Sequence, residues 1–388
     1  MEKTPLELFA VAAPGTEAVV RDELAALGVP SPAVVPGGVA FTGDADTMMR
    51  ANLWSRTAAR VLRRIARFPA PNLRALAAQA ARVPWQDLLS PHLPLEVKAT
   101  CHASRVYHSG AAAERVREAA MAAAGCPAHE GNEDEGASPA RDAGQFPAQV
   151  LVRLERDVCT ISLDTSGAHL HLRAWRLETA KAPLRENLAA AVLLLSEWDG
   201  SEALFDPMCG SGTFPIEAAL LGSRVPPGGG RRFAFMDSPG FDAAGWARLL
   251  DEAAGLRREP PCPIRAADRD AGAVEITRRN AARAGVADLL EVERRALSAT
   301  PVFPGPGLLV CNPPYGGRIG RPSDLRDLYA ALGAVARRLP GWRATVVTTE
   351  PRLAAACGLP FLRPGPPLAH GGLRLGVYRT SGGLRSSS

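Results

Sequence analysis

From Leu184 onward the chain alternates apolar strand-like runs with helical segments. "RENLAAAVLLLSEW" reads as helix, and "ALFDPMCGSGTFPIEAALLG" as strand, glycine-rich turn and helix. "PIRAADRDAGAVEITRRNAARAG" repeats that theme; "GLLVCNPPYGG" is a strand with a loop, "DLYAALGAVARRLP" a helix and "RATVVTT" a strand. Such alternation buries both faces of its strands only in a mostly parallel α/β sheet with helices on each side. No other feature restricts the fold as strongly.

In a sheet of that kind ligands bind at the carboxyl ends of the strands. Asp206 closes one strand, and "PMCGSGT" follows, bringing Pro207, Cys209, Gly210 and Gly212 into one turn ahead of a helix. Glycines let a ligand approach the backbone, and the helix N–H groups behind them point at it. A dinucleotide site would want a third glycine where Pro215 stands, and a pyrophosphate beside Asp206 is electrostatically unattractive. A ligand with a positive amine or sulfonium suits the carboxylate, which favours S-adenosylmethionine over NAD. A tight strand–helix turn with no ligand also accounts for the glycines alone. Asp268 ends the next strand, where a carboxylate can accept both ribose hydroxyls. Asp270 is a neighbouring candidate, and either acid can equally cap the following helix. The insertion "GSRVPPGGGRRFAFMDSPGFD" between these strands is expected to form a lip over the site.

The second unusual strand end is "LLVCNPPYGGR". Asn312 offers a side-chain carbonyl and Pro313 a backbone carbonyl, while Tyr315 can stack on a planar ring. Two acceptors can hold both hydrogens of an exocyclic –NH2 and aim its lone pair at an incoming methyl group. That chemistry is positioning and electrostatics, with no dedicated general base. A base inside a helix cannot reach such a pocket, so it is flipped out or already unpaired. Cys311 raises a competing mechanism, thiolate attack on a pyrimidine, but no basic residue adjoins it and free cysteine is usually a buried hydrophobe.

The N-terminal half is more mixed. "LELFAVAA", a helix "EAVVRDELAAL" and a strand "GGVAFTG" open it. "LWSRTAARVLRRIARF" shows helical spacing, with Arg56, Arg60, Arg63, Arg64 and Arg67 on one face. Five guanidiniums without an interleaved acid read either as a solvated face or as a phosphate-contacting RNA stripe. Further on, "LPLEVKATCHAS" reads as a strand, "GAAAERVREAAMAAA" as a helix, "QVLVRLERDVCTISLDTS" as two strands turning at Arg156-Asp157, and "AHLHLRAWR" as another strand. The acidic, small-residue segment 125–144 cannot bury a core and is expected to be a mobile insert, and the tail 381–388 is expected to be disordered.

At 388 residues the chain has room for two or three domains. No apolar run approaches the roughly 20 residues of a membrane span, and "MEKTPLELFAVAAPG" lacks a leader's pattern, so the cytoplasm is the expected compartment. Seven cysteines without a C-x-x-C pair argue against a disulfide framework or zinc, and His169 with His171 lacks a third ligand, so no metal is expected. The net charge of +5 is compatible with a nucleic-acid partner.

"FDPMCGSGTFPIEAA", "APLRENLAA", "SLDTSG", "RRFAF" and "NPPYGGRIG" together resemble the bacterial THUMP-domain class I guanine-N2 RNA methyltransferases, the 23S rRNA enzymes first and the tRNA enzymes next. "APGTEAVVRDELAALG", "GGVAFTG" and "NLWSRTAARVL" extend the resemblance to the N-terminus. It implies a Rossmann-like methyltransferase domain at 188–380, preceded by an α+β ferredoxin-like domain at 1–70 and an RNA-capturing THUMP domain at 71–176, with 177–187 as linker. It implies that Asp206, Gly210 and Gly212 line the S-adenosylmethionine pocket, that Asp268 holds its ribose, and that Leu184, Arg185 and Glu186 border the methionine end. Asn312, Pro313 and Tyr315 would hold the target guanine. Two departures stand out: "RAWR" at 173–176 replaces Arg-Gly-Tyr-Arg, and Arg295 stands where relatives carry an acid that contacts the adenine amine, which implies either weakened cofactor affinity or a rescue by Glu293 and leaves that role unassigned. An adenine-N6 RNA enzyme and an RNA-binding assembly factor without catalysis remain as alternatives, and the oligomeric state is not read from the sequence.

Overall fold

The structure is a computed structural model that describes residues 5–129, 144–178, 184–316 and 322–384. The chain forms two compact units: residues 1–12, 20–172 and 228–251 in the first, and 13–19, 173–227 and 252–388 in the second.

Unit 1 begins β1 (Leu6–Val11), α1 (Glu17–Ala26), β2 (Ala33–Val35), β3 (Gly38–Gly43), α2 (Ala45–Trp54) and β4 (Arg60–Pro69). It continues α3 (Leu73–Ala80), β5 (Leu95–His102), α4 (Ser109–Ala124), β6 (Ala148–Glu155) and β7 (Val158–Asp164). The β1–β4 portion has the split β-α-β order β2-β3-β1-β4, and β4 then pairs with β7, so one seven-stranded sheet runs on through β7-β6-β5. Arg156 and Asp157 make the β6–β7 turn, both at positive φ (50° and 62°), the conformation a two-residue hairpin needs.

Several expectations are corrected here. "RTAARVLRRIARF" is not a helix: α2 ends at Trp54, and β4 takes the arginines into the sheet. Arg56 is buried in the connecting loop, where its N–H donates to Glu23 at 2.6 Å. Arg60, partly buried, pairs with the buried Asp164, and Arg63, paired across the ladder with Leu8 and Leu163, points to the opposite face from Arg64. Arg60, Arg64 and Arg67 share the other face, the last two beside Arg153 of β6, while Arg60 is taken up by Asp164 and Gln149. "AHLHLRAWR" is not a strand either. Buried Arg231 takes the carbonyls of His169 (2.9 Å), Leu172 (3.2 Å) and Ala168, replacing a ladder partner with a guanidinium. Most of the insertion that carries Arg231 belongs to unit 1. Its residues 228–251 pack into unit 1, where Phe233 and Phe235 stack, Trp246 meets both edge-on, and the Phe235 N–H donates to the Thr165 carbonyl at 3.0 Å.

Unit 2 contains α5 (Glu186–Leu195), β8 (Ala203–Asp206) and α6 (Thr213–Gly222), and α7 (Ala243–Gly255) leads back into it from unit 1. Then follow β9 (Ile264–Asp268), α8 (Ala271–Arg283), β10 (Leu290–Arg294), β11 (Gly307–Cys311), α9 (Pro322–Arg337), β12 (Trp342–Thr348), α10 (Pro351–Ala356), β13 (Leu368–His370) and β14 (Leu373–Arg379). The sheet order is β10-β9-β8-β11-β12-β14-β13, parallel from β10 to β12, with β14 antiparallel. Alternate side chains feed two cores. Leu204, Leu308 and Val310 pack with α5, α6 and α8, while Phe205 and Leu309 pack with α9 and α10. Within the expected disordered tail, Leu384 is instead buried and its backbone bonds to Trp342 and Gly341. Residues 130–143 of the expected insert, 179–183 of the linker and 385–388 lie outside the described residues.

No described helix is long and apolar enough to cross a membrane. All seven cysteines are free, and among the described residues no group of three or more His, Cys, Asp or Glu could hold a metal.

Candidate functional site

Strand order reverses between β8 and β11, the switch point at which an open α/β sheet leaves a crevice. Asp206 is the last residue of β8, and Asn312 follows the last residue of β11. The sequence therefore delivers its two most unusual strand ends to neighbouring places.

The turn after β8 is held from β9 and α8. Asp268 accepts the Gly210 N–H at 3.0 Å through one oxygen and the Asp270 N–H at 2.9 Å through the other. Each oxygen keeps a lone pair for a further donor. Asp270 itself caps α8 by accepting the Gly272 N–H at 2.8 Å. Of the two acids, Asp270 thus takes the helix-capping role. Gly210 and Gly212 both lie at positive φ (57° and 85°). A Cβ on Gly212 would meet Thr277 at 2.8 Å, so that glycine is required by packing against α8. The Thr277 hydroxyl donates to the Gly210 carbonyl at 2.9 Å and lies 3.6 Å from the Cys209 sulfur. Pro207 and Cys209 are buried in the same turn.

Asp206 is 2% exposed, and its carboxylate accepts the Met208 N–H at 3.1 Å. Burial, with the Asp268 charge adding to it, pushes its pKa up to about 8. A cation placed beside it would reverse that shift. The donor set therefore fits S-adenosylmethionine: a buried carboxyl that gains from a positive ligand, and one strand over a carboxylate with lone pairs free for hydroxyls.

Leu184 and Glu186 are tied to this turn by Arg176, the last residue of the "RAWR" segment, to which the sequence gave no role. The Arg176 guanidinium donates to the Leu184 carbonyl and the Thr213 hydroxyl, both at 2.8 Å, and lies 3.1 Å from Glu186. Arg173 pairs with Glu217 at 3.3 Å, both fully buried. The Arg185 side chain is exposed. At the end of β10, the Arg295 N–H donates to the Asp268 carbonyl at 2.9 Å, and its guanidinium pairs with Glu293.

At the end of β11, the Asn312 Oδ1 is buried and has no hydrogen-bond partner among the described residues. An unpaired acceptor of that kind is costly, roughly 1–3 kcal/mol, and asks for a donor. Pro313 is buried beside it, and Tyr315 packs, half-buried, against both cores of unit 2. Glu350, just past β12, accepts the Gly316 N–H at 3.0 Å. Nothing in "VVTTEP" marks that residue in advance. Cys311 is fully buried and its thiol is held well above the ordinary range, which removes the thiolate needed for covalent attack.

A family model described as the RlmL ferredoxin-like domain matches residues 7–62, and one described as the RMKL-like methyltransferase domain matches residues 173–360. A Listeria monocytogenes protein described as a predicted N6-adenine-specific DNA methylase superposes with a TM-score of 0.87 at 31% identity, over 98% of this chain and 97% of that one. The chain belongs to the RMKL-like methyltransferase family. The SMU.472 structure, complexed with SAH, superposes on this family member with a TM-score of 0.86 at 29% identity, over 100% and 99% of the two chains. The ribosomal RNA large subunit methyltransferase K/L of Syntrophotalea carbinolica is 40% identical over 92% of this chain, which spans 51% of that relative's length.

Proposed function

We propose that this chain methylates the exocyclic N2 amine of a guanine in structured RNA, 23S rRNA before tRNA, with S-adenosylmethionine as donor. The observation that carries this reading is the buried, unpartnered Asn312 Oδ1 at the rim of the sheet. Asn312 and the Pro313 carbonyl would each accept one N–H of the amine, drawing its lone pair out of conjugation with the ring. The cofactor supplies an electrophilic methyl group on a positive sulfur. As the N–C bond forms the C–S bond breaks, and the amine's surplus proton leaves to solvent. Tyr315 would stack on the base, and Glu350 fixes the loop that presents these groups. Asp206 and Asp268 would serve the cofactor's positive charge and ribose. Residues 1–70 and 71–176, the latter as a THUMP domain, would capture the RNA.

The ribosomal name of the Syntrophotalea relative supports rRNA, and the SAH in the SMU.472 structure supports the donor. The Listeria protein's description names adenine N6, an amine to which the same acceptor pair is suited. Purified protein and tritiated S-adenosylmethionine, incubated with unmodified rRNA and unmodified tRNA together, test the proposal. Nucleoside digestion is expected to yield labelled N2-methylguanosine. Labelled N6-methyladenosine, or label confined to tRNA, would overturn it.

A further inference from the structure

Arg63 occupies the helix-covered face of the unit 1 sheet, opposite Leu8 and Leu163, and its side chain is half-buried. It has no hydrogen bond or ion pair among the described residues. It lines a cavity of about 180 Å3 whose walls include Met49, Phe146, Phe235 and Phe241. Burial without a counter-charge pulls its guanidinium below the ordinary range.

Five carboxylates also line this cavity, and four are engaged. Asp44 accepts the Thr47 N–H at 2.9 Å, Asp242 accepts the Gly245 N–H at 2.8 Å, Asp164 pairs with Arg60 and Asp237 with Arg232. The Asp87 side chain is exposed and has no partner among the described residues. A phosphate is ill suited to walls so rich in acids. A neutral planar ring with an acceptor edge for Arg63 and a donor edge for a carboxylate is well suited. Guanine has both: O6 and N7 accept from a guanidinium, and N1–H and the N2 amine donate to a carboxylate. Aromatic walls favour an unstacked base.

We propose that this cavity binds a guanine base at a site separate from Asn312. The base can come from an unpaired guanosine of RNA or from a free guanine nucleoside. The assignment does not depend on methyl transfer, and its test reads binding alone. Calorimetry on the full chain, saturated with S-adenosylhomocysteine and carrying Asn312→Ala to empty the rim of the other sheet, compares guanosine, inosine and adenosine. In parallel, an RNA oligonucleotide bearing 6-thioguanosine is photo-crosslinked and the attached peptides are mapped by mass spectrometry. Guanosine is expected to bind at least about tenfold more tightly than adenosine. Arg63→Met is expected to abolish that binding while leaving the melting temperature unchanged or higher, since it removes an unpaired cation from a half-buried position. Inosine, which lacks the N2 amine, is expected to bind more weakly than guanosine, and Asp87→Asn to erase that difference. Crosslinks to residues 146–149 or 234–242 without guanosine binding would assign the site to RNA. Guanosine binding with or without those crosslinks would show that the free base suffices. Absence of both, guanosine binding that survives Arg63→Met, or a melting temperature lowered by that substitution would overturn the proposal.

Discussion

The Glu350 carboxylate accepts the backbone N–H of Gly316 at 3.0 Å, tying the turn that follows Asn312 to the end of the neighbouring strand. Gly316 lies at φ 73°, so the turn closes in a left-handed conformation that this bond holds in place. Glu350→Ala removes a charge-assisted hydrogen bond worth about 1.5–3 kcal/mol. We expect kcat/KM toward RNA to fall about tenfold or more with S-adenosylmethionine affinity unchanged. Steady-state kinetics beside calorimetry check this, and an equal loss of cofactor affinity would contradict it.

Gly212 is fixed by backbone and packing at once. Its φ of 85° disfavours any side chain, and a Cβ would lie 2.8 Å from Thr277. Gly212→Ala is expected to destabilise unit 2 by roughly 1–3 kcal/mol. Thr277→Ser, which removes the colliding methyl group but keeps the hydroxyl bonded to Gly210, should recover only the packing part. Urea denaturation of the two single variants and the double variant measures the split, and strict additivity would contradict it.

Asp206 makes stability and cofactor binding depend on pH. Burial holds its folded-state pKa at about 8, whereas in the unfolded chain the carboxyl ionises near its ordinary value of 3.8. The folded chain thus binds the extra proton between those values, and the stability contributed by this group declines as pH rises through the window. Asp206→Asn lacks that slope, so its melting temperature should gain on that of the parent chain from about pH 5 to 8. A cationic ligand favours the ionised carboxylate, so S-adenosylmethionine affinity should rise with pH toward 8 and binding at about pH 7 should release a proton. Thermal melts, and calorimetry in buffers of different ionisation enthalpy, report both effects. A pH-independent gap would contradict the assignment.

The sequence leaves Arg60 either on a solvated face or as an RNA phosphate contact, yet it pairs with Asp164, whose side chain is fully buried. It also donates to Gln149 at 3.0 Å and to the Gly167 carbonyl at 2.6 Å. Arg60→Met leaves a buried carboxylate unpaired and is expected to cost about 3–5 kcal/mol of stability. Chemical denaturation measures it. A stable variant with weakened RNA binding would restore the RNA-contact reading.

That misreading has a physical source. The register shift in β4 between Arg64 and Ala66 places Arg64 and Arg67 opposite Ser162 and Thr160, two residues apart on β7. An i to i+3 pair therefore shares one face of a strand, which imitates helical spacing. The parallel sheet of unit 2 was legible because its strands, such as Leu308–Cys311, are apolar on both sides and end in distinctive residues. The Arg231 cluster was not, because the carbonyls it satisfies lie some 60 positions away and no local pattern announces them. Glu350 was missed for the same reason: it acts through a backbone N–H 34 positions distant. Asn312, Asp206 and Asp268 were legible because a polar residue at the end of an apolar strand stands out against its neighbours.

The most direct test of the account is the single-turnover rate of methyl transfer to rRNA by Asn312→Ala, measured beside its affinity for S-adenosylmethionine. Removing the buried acceptor is expected to slow transfer by about 100-fold or more, with cofactor affinity within about threefold of the parent chain. A variant that transfers methyl groups at the parental rate would show that Asn312 does not hold the reacting amine.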